Sequence, residues 1–129
     1  QVIAIMGDGG AQMNIQELGT IMQFKPNVKI IILNNCFLGM VRQWQELFHE
    51  KRYSFTDIQS PDFVKVAEAY NIAGKKIESR KDLKNGLKTM LDHPTSYLLE
   101  VMVLHEDNVF PMVPQGRGVA EIVLRKEDI

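Results

Sequence analysis

The stretch that decides the fold is QVIAIMGDGG, residues 1–10, in which an apolar run ends at a glycine-rich corner that carries one carboxylate, Asp8. A second apolar run, VKIIIL, covers residues 28–33 and is followed directly by Asn34 and Asn35. Continuous apolar runs of this length are typical of strands in a parallel sheet that is covered on both faces. Both runs are therefore predicted to be central strands.

The segment between these two strands has the spacing of an amphipathic helix. Its apolar positions are Ile15, Leu18, Ile21 and Met22. Asn14, followed by Glu17 three residues later, has the pattern of a capping box, so the helix is predicted to begin near Asn14. The chain then starts with a strand–helix–strand unit, for which a right-handed crossover is expected.

The remainder of the chain alternates helical and strand patterns. Helices are predicted at about residues 40–49, from a cap at Ser60 and Pro61 to about residue 70, and at about 79–91, and strands at 72–77 and 96–104. Prolines and glycines make residues 105–129 an irregular tail that could act as a lid. The alternation predicts an α/β fold in one domain, residues 1–129, with an open, mostly parallel sheet and helices on both faces.

Composition narrows the classes of function. The 129 residues carry a net charge of −1, so neither a nucleic-acid partner nor a membrane partner is expected. Cys36 is the single cysteine, which excludes an internal disulfide and fits a cytoplasmic location. Gln1 is not an initiator, and the chain opens within a predicted buried strand, so we expect a fragment or an excised domain of a longer protein.

The chemistry is expected where the two amino-terminal strands end, because ligands of open α/β sheets bind at the carboxyl ends of strands. If the strands are neighbours, Asp8 and Asn35 converge there, and their oxygens suit Mg²⁺ or Ca²⁺ rather than zinc. A cation between Asp8 and a phosphate removes their repulsion, while Gly9 and Gly10 let backbone N–H groups approach the phosphate. The positive end of the helix predicted to begin near Asn14 would add to this attraction.

These two corners also have other interpretations. Either corner alone would be an ordinary turn, but the pair at this spacing favours a metal–phosphate site. A P-loop is excluded because no Lys-Ser or Lys-Thr follows the glycines, and a dinucleotide fingerprint is excluded because Gln12 occupies its last glycine position.

Gly7-Asp8-Gly9 followed by Asn34-Asn35 is similar to the cofactor motif of thiamine diphosphate enzymes. The stretch NNCFLGMVRQW at residues 34–44, with PDF at 61–63 and VFPMVP at 109–114, resembles the large catalytic subunit of acetolactate synthase. The resemblance implies a carboxy-terminal domain that binds thiamine diphosphate through Mg²⁺. It also implies a transferase that decarboxylates pyruvate and condenses it with a second 2-keto acid, such as 2-ketobutyrate, in branched-chain amino-acid biosynthesis.

The resemblance also implies roles for individual residues. The cofactor would be bound by Gly7, Asp8, Gly9, Gly10, Met13, Asn35, Phe37, Gly39 and Met40. The metal would be held by the side chains of Asp8 and Asn35 and the backbone carbonyl of Phe37. The substrate pocket would include Met40, Val41 and Trp44, for which core packing is the alternative, as it is for Met13.

Parts of the implied enzyme are expected outside this chain. The resemblance places the activating glutamate in a different domain of the partner subunit and FAD mainly in a middle domain. The acids Glu17 and Glu46 are predicted to lie on helix surfaces. A homo-oligomer, dimer or tetramer, and a regulatory small subunit are implied, and the isolated domain is expected to show no turnover. The alternatives are a domain of pyruvate oxidase or a decarboxylase, or a non-catalytic interaction domain.

Overall fold

The computed structural model describes residues 1–128, which form one parallel sheet and the helices that cover it. The strands are β1 Val2–Gly7, β2 Val28–Asn34, β3 Ala73–Ile77 and β4 Tyr97–Met102, in the spatial order β1-β2-β4-β3. The helices are α1 Asp8–Met13, α2 Glu17–Phe24, α3 Gly39–Phe48, α4 Phe63–Ala69 and α5 Arg80–Asp92, with 3₁₀ turns at Val119–Glu121 and Lys126–Asp128. Across residues 1–128, no helix combines the length and the apolar character that crossing a membrane requires.

The predicted α/β class is confirmed, because helices pack on both faces of the sheet. On one face α1, α2 and α4 cover a cluster that contains Ala11, Leu18, Ile30, Ile32, Phe63, Ala67, Ile72 and Leu98. On the other face α5 covers a cluster of Ile77, Met90, Tyr97 and Leu99. Neighbouring residues of β2 and β4 alternate between the two clusters, as the pleat of a strand requires.

Within residues 1–128, β1 lies at the edge of the sheet, whereas both amino-terminal strands were predicted to be central. Among the described residues it pairs with β2 alone. Its residues Val2, Ile3 and Ile5 are 62%, 46% and 65% exposed. An apolar run indicates a strand with few polar residues, but it does not indicate how many other strands lie beside that strand in the sheet.

The predicted amphipathic helix is α2, which begins at Glu17 rather than near Asn14, and a separate short helix, α1, begins at Asp8 directly after β1. Gly7 is the residue before the first helical turn, and Asn14 closes α1, with its side-chain amide donating to the carbonyl of Gly10 at 3.3 Å. Ala11 is buried in the core against the sheet. Because this packing stabilises α1, it outweighs the weak helix propensity of the two glycines.

The predicted cap of α4 was also placed too early. The side chain of Asp62 accepts a hydrogen bond from the backbone N–H of Lys65 at 3.1 Å, and the helix begins at Phe63. Aspartate and serine are comparable cap residues, so the sequence pattern did not separate them. The hydroxyl of Ser60 is instead engaged at the end of β1.

The tail returns to α3. The side chain of Gln43 donates to the carbonyl of Val109 at 3.0 Å and accepts from its N–H at 2.7 Å. Glu46, predicted to be a surface acid, has a side chain that is only 9% exposed and pairs with Lys126, so that prediction was wrong. Residues 105–118 contain no helix or strand, as predicted. A lid role stays a prediction, and the last tail residue, Ile129, lies outside the described residues.

Candidate functional site

A cleft of about 610 Å³ opens where β1, β2 and β4 end. Most of the predicted site residues line it, namely Gly7, Asp8, Gly9, Gly10, Asn35, Phe37, Gly39, Met40 and Val41. The sequence reasoning missed four further residues that line it, namely Val103, Leu104, Asp107 and Val109. These residues follow β4, so the rule that ligands bind at strand ends could have found them.

The first corner holds Asp8 in a fixed position. Asp8 is 1% exposed, although it lines the cleft, and it lies in the first turn of α1. Its Oδ2 accepts a hydrogen bond from the hydroxyl of Ser60 at 2.8 Å. Because Ser60 lies 52 positions away in the chain, no local pattern could have indicated this contact.

The second corner, residues 34–37, is a tight turn directly beside the first corner, residues 7–10. β1 and β2 are hydrogen-bonded neighbours, with Gly7 opposite Leu33, so the condition under which Asp8 and Asn35 were expected to converge is met. The side-chain oxygen of Asn35 accepts from the N–H of Phe37 at 3.0 Å. Between them, Cys36 has a φ of +58°, in the left-handed region that few non-glycine residues adopt.

The oxygen donors at these corners fit a hard divalent cation. The cleft offers the carboxylate of Asp8, the amide oxygen of Asn35 and backbone carbonyls such as that of Phe37. Within residues 1–128, no three His, Cys, Asp or Glu side chains gather into a metal site. One carboxylate with neutral oxygens is the small protein ligand set that Mg²⁺ uses when water and phosphates complete its coordination.

The glycines of the first corner differ in what surrounds them. A Cβ added to Gly9 would lie 2.9 Å from Cδ2 of Leu38, whereas a Cβ added to Gly10 would meet no atom within 4 Å. Gly10 therefore presents bare backbone to the open cleft. In the second corner, a Cβ at Gly39 would lie 3.0 Å from the side-chain nitrogen of Asn35.

α3 exposes apolar residues to the cleft and buries polar ones. Met40 and Val41 are 52% and 49% exposed, while Arg42 and Gln43 are buried. The guanidinium carbon of Arg42 lies 5.4 Å from the ring centroid of Phe37. Met40 and Val41 therefore do not fit the alternative interpretation as core residues, and the buried face of α3 supports the wall that contains Phe37.

Two predicted site residues lie outside the cleft lining. Met13 is 72% exposed and borders a neighbouring depression beside Gly9. The ring of Trp44 packs against that of Phe48, with 4.8 Å between the centroids. Their assigned contacts with cofactor and substrate stay predictions.

Behind the cleft, one carboxylate joins α3 to the tail. Glu46 accepts from Arg42 at 3.0 Å and from the hydroxyl of Tyr53 at 3.3 Å. A hydrogen bond from Lys126 is the main cause that lowers the pKa of Glu46, although burial opposes it. His105, at the start of the tail, stacks on Phe37 with 4.6 Å between centroids. The tail is thereby tied to the second corner.

Comparison with known proteins identifies the class. Residues 1–101 match the family model described as thiamine pyrophosphate enzyme, C-terminal TPP binding domain. The chain therefore belongs to the thiamine pyrophosphate enzyme family, as a C-terminal cofactor-binding domain; thiamine pyrophosphate is another name for thiamine diphosphate.

Within that family, the chain is similar to acetolactate synthase large subunits, which confirms the resemblance predicted from its sequence. It is 44% identical over 124 residues to the large subunit from Pyropia yezoensis, covering 95% of this chain and 21% of that protein. It is 43% identical over 123 residues to the isozyme 2 large subunit of Escherichia coli strain K12, covering 95% of this chain and 22% of that protein. The chain thus spans about a fifth of the length of these curated relatives.

A solved structure shares the fold. It is the thiamine diphosphate-dependent 4-hydroxybenzoylformate decarboxylase of Rhodococcus jostii RHA1, with a TM-score of 0.76 and 31% sequence identity. The match covers 84% of this chain and 20% of that one.

Proposed function

We propose that this chain is the domain of an acetolactate synthase large subunit that binds thiamine diphosphate through Mg²⁺. The observation that carries the proposal is the meeting of two strand ends in one cleft. One end supplies the buried carboxylate of Asp8 and the other the amide of Asn35. The relatives named acetolactate synthase large subunit support the choice of enzyme.

The residues of the cleft divide between metal and cofactor. Asp8, Asn35 and the carbonyl of Phe37 would hold Mg²⁺. Gly9 and Gly10 lie in the first turn of α1, where backbone N–H groups lack helical acceptors, so they would donate to the diphosphate. When bound, thiamine diphosphate supplies the nucleophilic carbon for the chemistry of 2-keto acids, and the protein orients it.

The substrates would be pyruvate and a second 2-keto acid, with 2-ketobutyrate as an acceptor. Met40 and Val41 present apolar side chains to the cleft, which suits the short alkyl groups of these acids. Trp44 would contribute to acceptor choice, and Met13 would lie near the cofactor. Because neither Trp44 nor Met13 lines the cleft, their contacts with substrate and cofactor would need surfaces beyond the cleft lining.

The complete enzyme would need groups from outside this chain. We propose that the activating glutamate comes from a partner subunit, that FAD binds in another domain and that the subunits form a homo-oligomer. A regulatory small subunit and a cytoplasmic location complete the proposal. The isolated chain is therefore expected to consume no pyruvate.

The test is a titration of the full-length subunit with thiamine diphosphate, with and without Mg²⁺. Wild type is expected to bind the cofactor in a metal-dependent manner, and Asp8→Ala is expected to abolish that dependence. Asp92→Ala, which changes an exposed acid at the end of α5, is the matched control and should bind as wild type does. Equal metal dependence in wild type and Asp8→Ala would refute the site.

A second function within the class is favoured by one observation, the structural likeness to a decarboxylase. Product analysis of the full-length protein with pyruvate separates the candidates. Acetolactate supports the synthase, an aldehyde supports a decarboxylase and acetyl phosphate supports a pyruvate oxidase. A non-catalytic interaction domain would show neither product nor metal-linked cofactor binding.

A further inference from the structure

Glu100 is a carboxylate in the interior of the sheet. It lies on β4 and is 1% exposed, and its Oε2 has no hydrogen-bond partner among residues 1–128. The nearest cation is Nζ of Lys76, 3.9 Å from Oε1. Burying an incompletely paired carboxylate destabilises a fold, so packing gives no reason for an acid at this position.

The register of the sheet places this carboxylate beneath the second corner. Glu100 lies opposite Ile32 of β2, and Asn34 is two residues further along the same strand. Side chains two apart on a strand share a face, so Glu100 and Asn34 lie diagonally on one side of the sheet. Oε1 of Glu100 accepts a hydrogen bond from Nδ2 of Asn34 at 2.7 Å.

This bond determines which way the amide of Asn34 faces. Because its nitrogen donates to Glu100, its oxygen is left for the backbone, and it accepts from the N–H of Cys36 at 3.0 Å. Cys36 is the residue with a φ of +58°. The N–H of Val103 also donates to the carbonyl of Asn34 at 2.9 Å, so both ends of this residue are tied down.

We propose that Glu100 and Asn34 form a positioning pair that holds the left-handed turn at Cys36 and so aims Asn35 and Phe37 at the metal. The inference rests on the proposed Mg²⁺ and thiamine diphosphate site. Glu100 acts through Asn34 and the turn rather than by touching the metal or the cofactor. The buried acid thus lowers the stability of the fold, and its role is to order the residues that would bind the metal.

The competing interpretation is that the pair only stabilises the sheet. The two differ in what a substitution changes. If the pair is only structural, a substitution lowers the melting temperature but leaves Mg²⁺ affinity unchanged, because the molecules that remain folded keep their ligand geometry. A positioning pair changes Mg²⁺ affinity in molecules that remain folded, and it loosens the turn even without cofactor.

The experiment exchanges the amide of Asn34 and the carboxylate of Glu100 in the full-length subunit. The Mg²⁺ dissociation constant is measured at saturating thiamine diphosphate. Asn34→Asp places a carboxylate against Glu100 and is expected to weaken Mg²⁺ binding by about 10- to 100-fold, the range for outer-shell partners. Adding Glu100→Gln lets the new amide donate to the new carboxylate, which still accepts from Cys36. The double variant should return to within about twofold of wild type, the scatter expected of uncoupled sites.

Two further measurements separate structure from positioning. Leu99→Ala removes a fully buried side chain from the neighbouring position, on the opposite face of β4, and should lower the melting temperature without changing Mg²⁺ affinity. In the cofactor-free protein, Asn34→Asp should speed hydrogen exchange at the amide of Cys36, and the double variant should restore its protection.

The outcomes distinguish the two proposals. If wild type shows metal-linked cofactor binding but Asn34→Asp binds Mg²⁺ as wild type does, the positioning pair is refuted and the proposed function stands. A double variant as weak as the single one also refutes the pair. A wild-type protein without metal-linked binding overturns both proposals.

Discussion

Two corners of the sheet build the candidate site in different ways. The first corner, residues 7–10, is called the aspartate corner below. It supplies a carboxylate that is 1% exposed and accepts a hydrogen bond from the hydroxyl of Ser60. The second corner, residues 34–37, is called the asparagine corner below, and it supplies the amide of Asn35. The left-handed residue of its turn, Cys36, is hydrogen-bonded to Asn34, which is in turn hydrogen-bonded to the buried Glu100. Among residues 1–128, the carboxylate of Asp8 has one orienting hydrogen bond, whereas the amide of Asn35 is held through a series of contacts.

The difference follows from the strength of the ligands. A carboxylate attracts a cation over several ångströms, so modest errors in its orientation cost little affinity. A neutral amide binds well only when its oxygen points at the ion, and it therefore depends on its surroundings. The comparison teaches that the weaker ligand of a metal pair should be the more sensitive to its supporting residues.

The largest effect is expected from removing the charged ligand. Asp8→Asn keeps the size of the side chain and removes its charge, so Mg²⁺ affinity should fall by more than the roughly 100-fold limit for outer-shell changes. Asn35→Ala should weaken the metal less, because no charge is lost. Mg²⁺ titration of both variants at saturating cofactor checks the order. Equal losses would remove the distinction between the two corners.

The next effect concerns the open backbone of the aspartate corner. Gly10→Ala should leave folding intact or strengthen it by about 0.5–1 kcal/mol, because alanine is the better helix residue and its methyl meets no protein atom. The same methyl would occupy space assigned to the diphosphate, and cofactor affinity should fall about tenfold, equal to ~1.4 kcal/mol.

Gly9→Ala is the matched comparison for Gly10→Ala. Its methyl would meet Cδ2 of Leu38, the far end of a side chain that must shift, so Gly9→Ala should be less stable than Gly10→Ala by about 1 kcal/mol. Chemical unfolding and cofactor titration of both variants separate packing from binding. Unchanged cofactor affinity in Gly10→Ala would place the diphosphate elsewhere.

A comparable effect is expected at the residue that orients Asp8. Ser60→Ala removes the hydroxyl that donates to Oδ2, and Mg²⁺ affinity should fall by about tenfold, the lower end of the outer-shell range. Thr20→Ala is the control, since its hydroxyl donates at 3.1 Å to Glu17 on the exposed side of α2. A loss larger than that from Asn34→Asp would contradict the rule that the neutral ligand is the more sensitive.

The smallest effect concerns acid stability behind the asparagine corner. The pKa of Glu46 is lowered in the folded chain, chiefly by its hydrogen bond from Lys126, so the folded state favours the ionised acid. Its contribution to stability is therefore present above the unfolded pKa of about 4.3 and disappears as pH falls through the lower folded value. The advantage of wild type over Glu46→Gln should shrink over that window.

Urea unfolding between neutral pH and pH 3 measures this difference. The exposed acid Glu50 provides the control variant Glu50→Gln, which should track wild type across the window. An advantage of wild type that stays constant to pH 3 would show that the carboxylate of Glu46 does not link the tail to α3 through its charge.

Local patterns were enough for several features. The apolar runs placed β1, β2 and β4, and the residues after β1 and β2 supplied both polar corners of the candidate site. Local patterns failed where a choice depended on distant partners. Asn14 carries a good capping group, yet the first helix after β1 begins at Asp8, where Ala11 packs against the sheet. Ser60 also carries one, yet its hydroxyl donates to the distant Asp8 and Asp62 caps α4 instead.

By itself the sequence determined the α/β fold with its parallel sheet and the two polar corners that meet at the candidate site, because strand periodicity and the residues that follow each strand are local properties. Only the tertiary structure decided that, within residues 1–128, β1 lies at the edge of the sheet, that Ser60 orients Asp8 and that Glu100 reaches Asn34. These contacts join residues 52 and 66 positions apart. No spacing rule encodes them, since the register of β2 and β4 brings Glu100 to Asn34 and the loop before α4 brings Ser60 to Asp8.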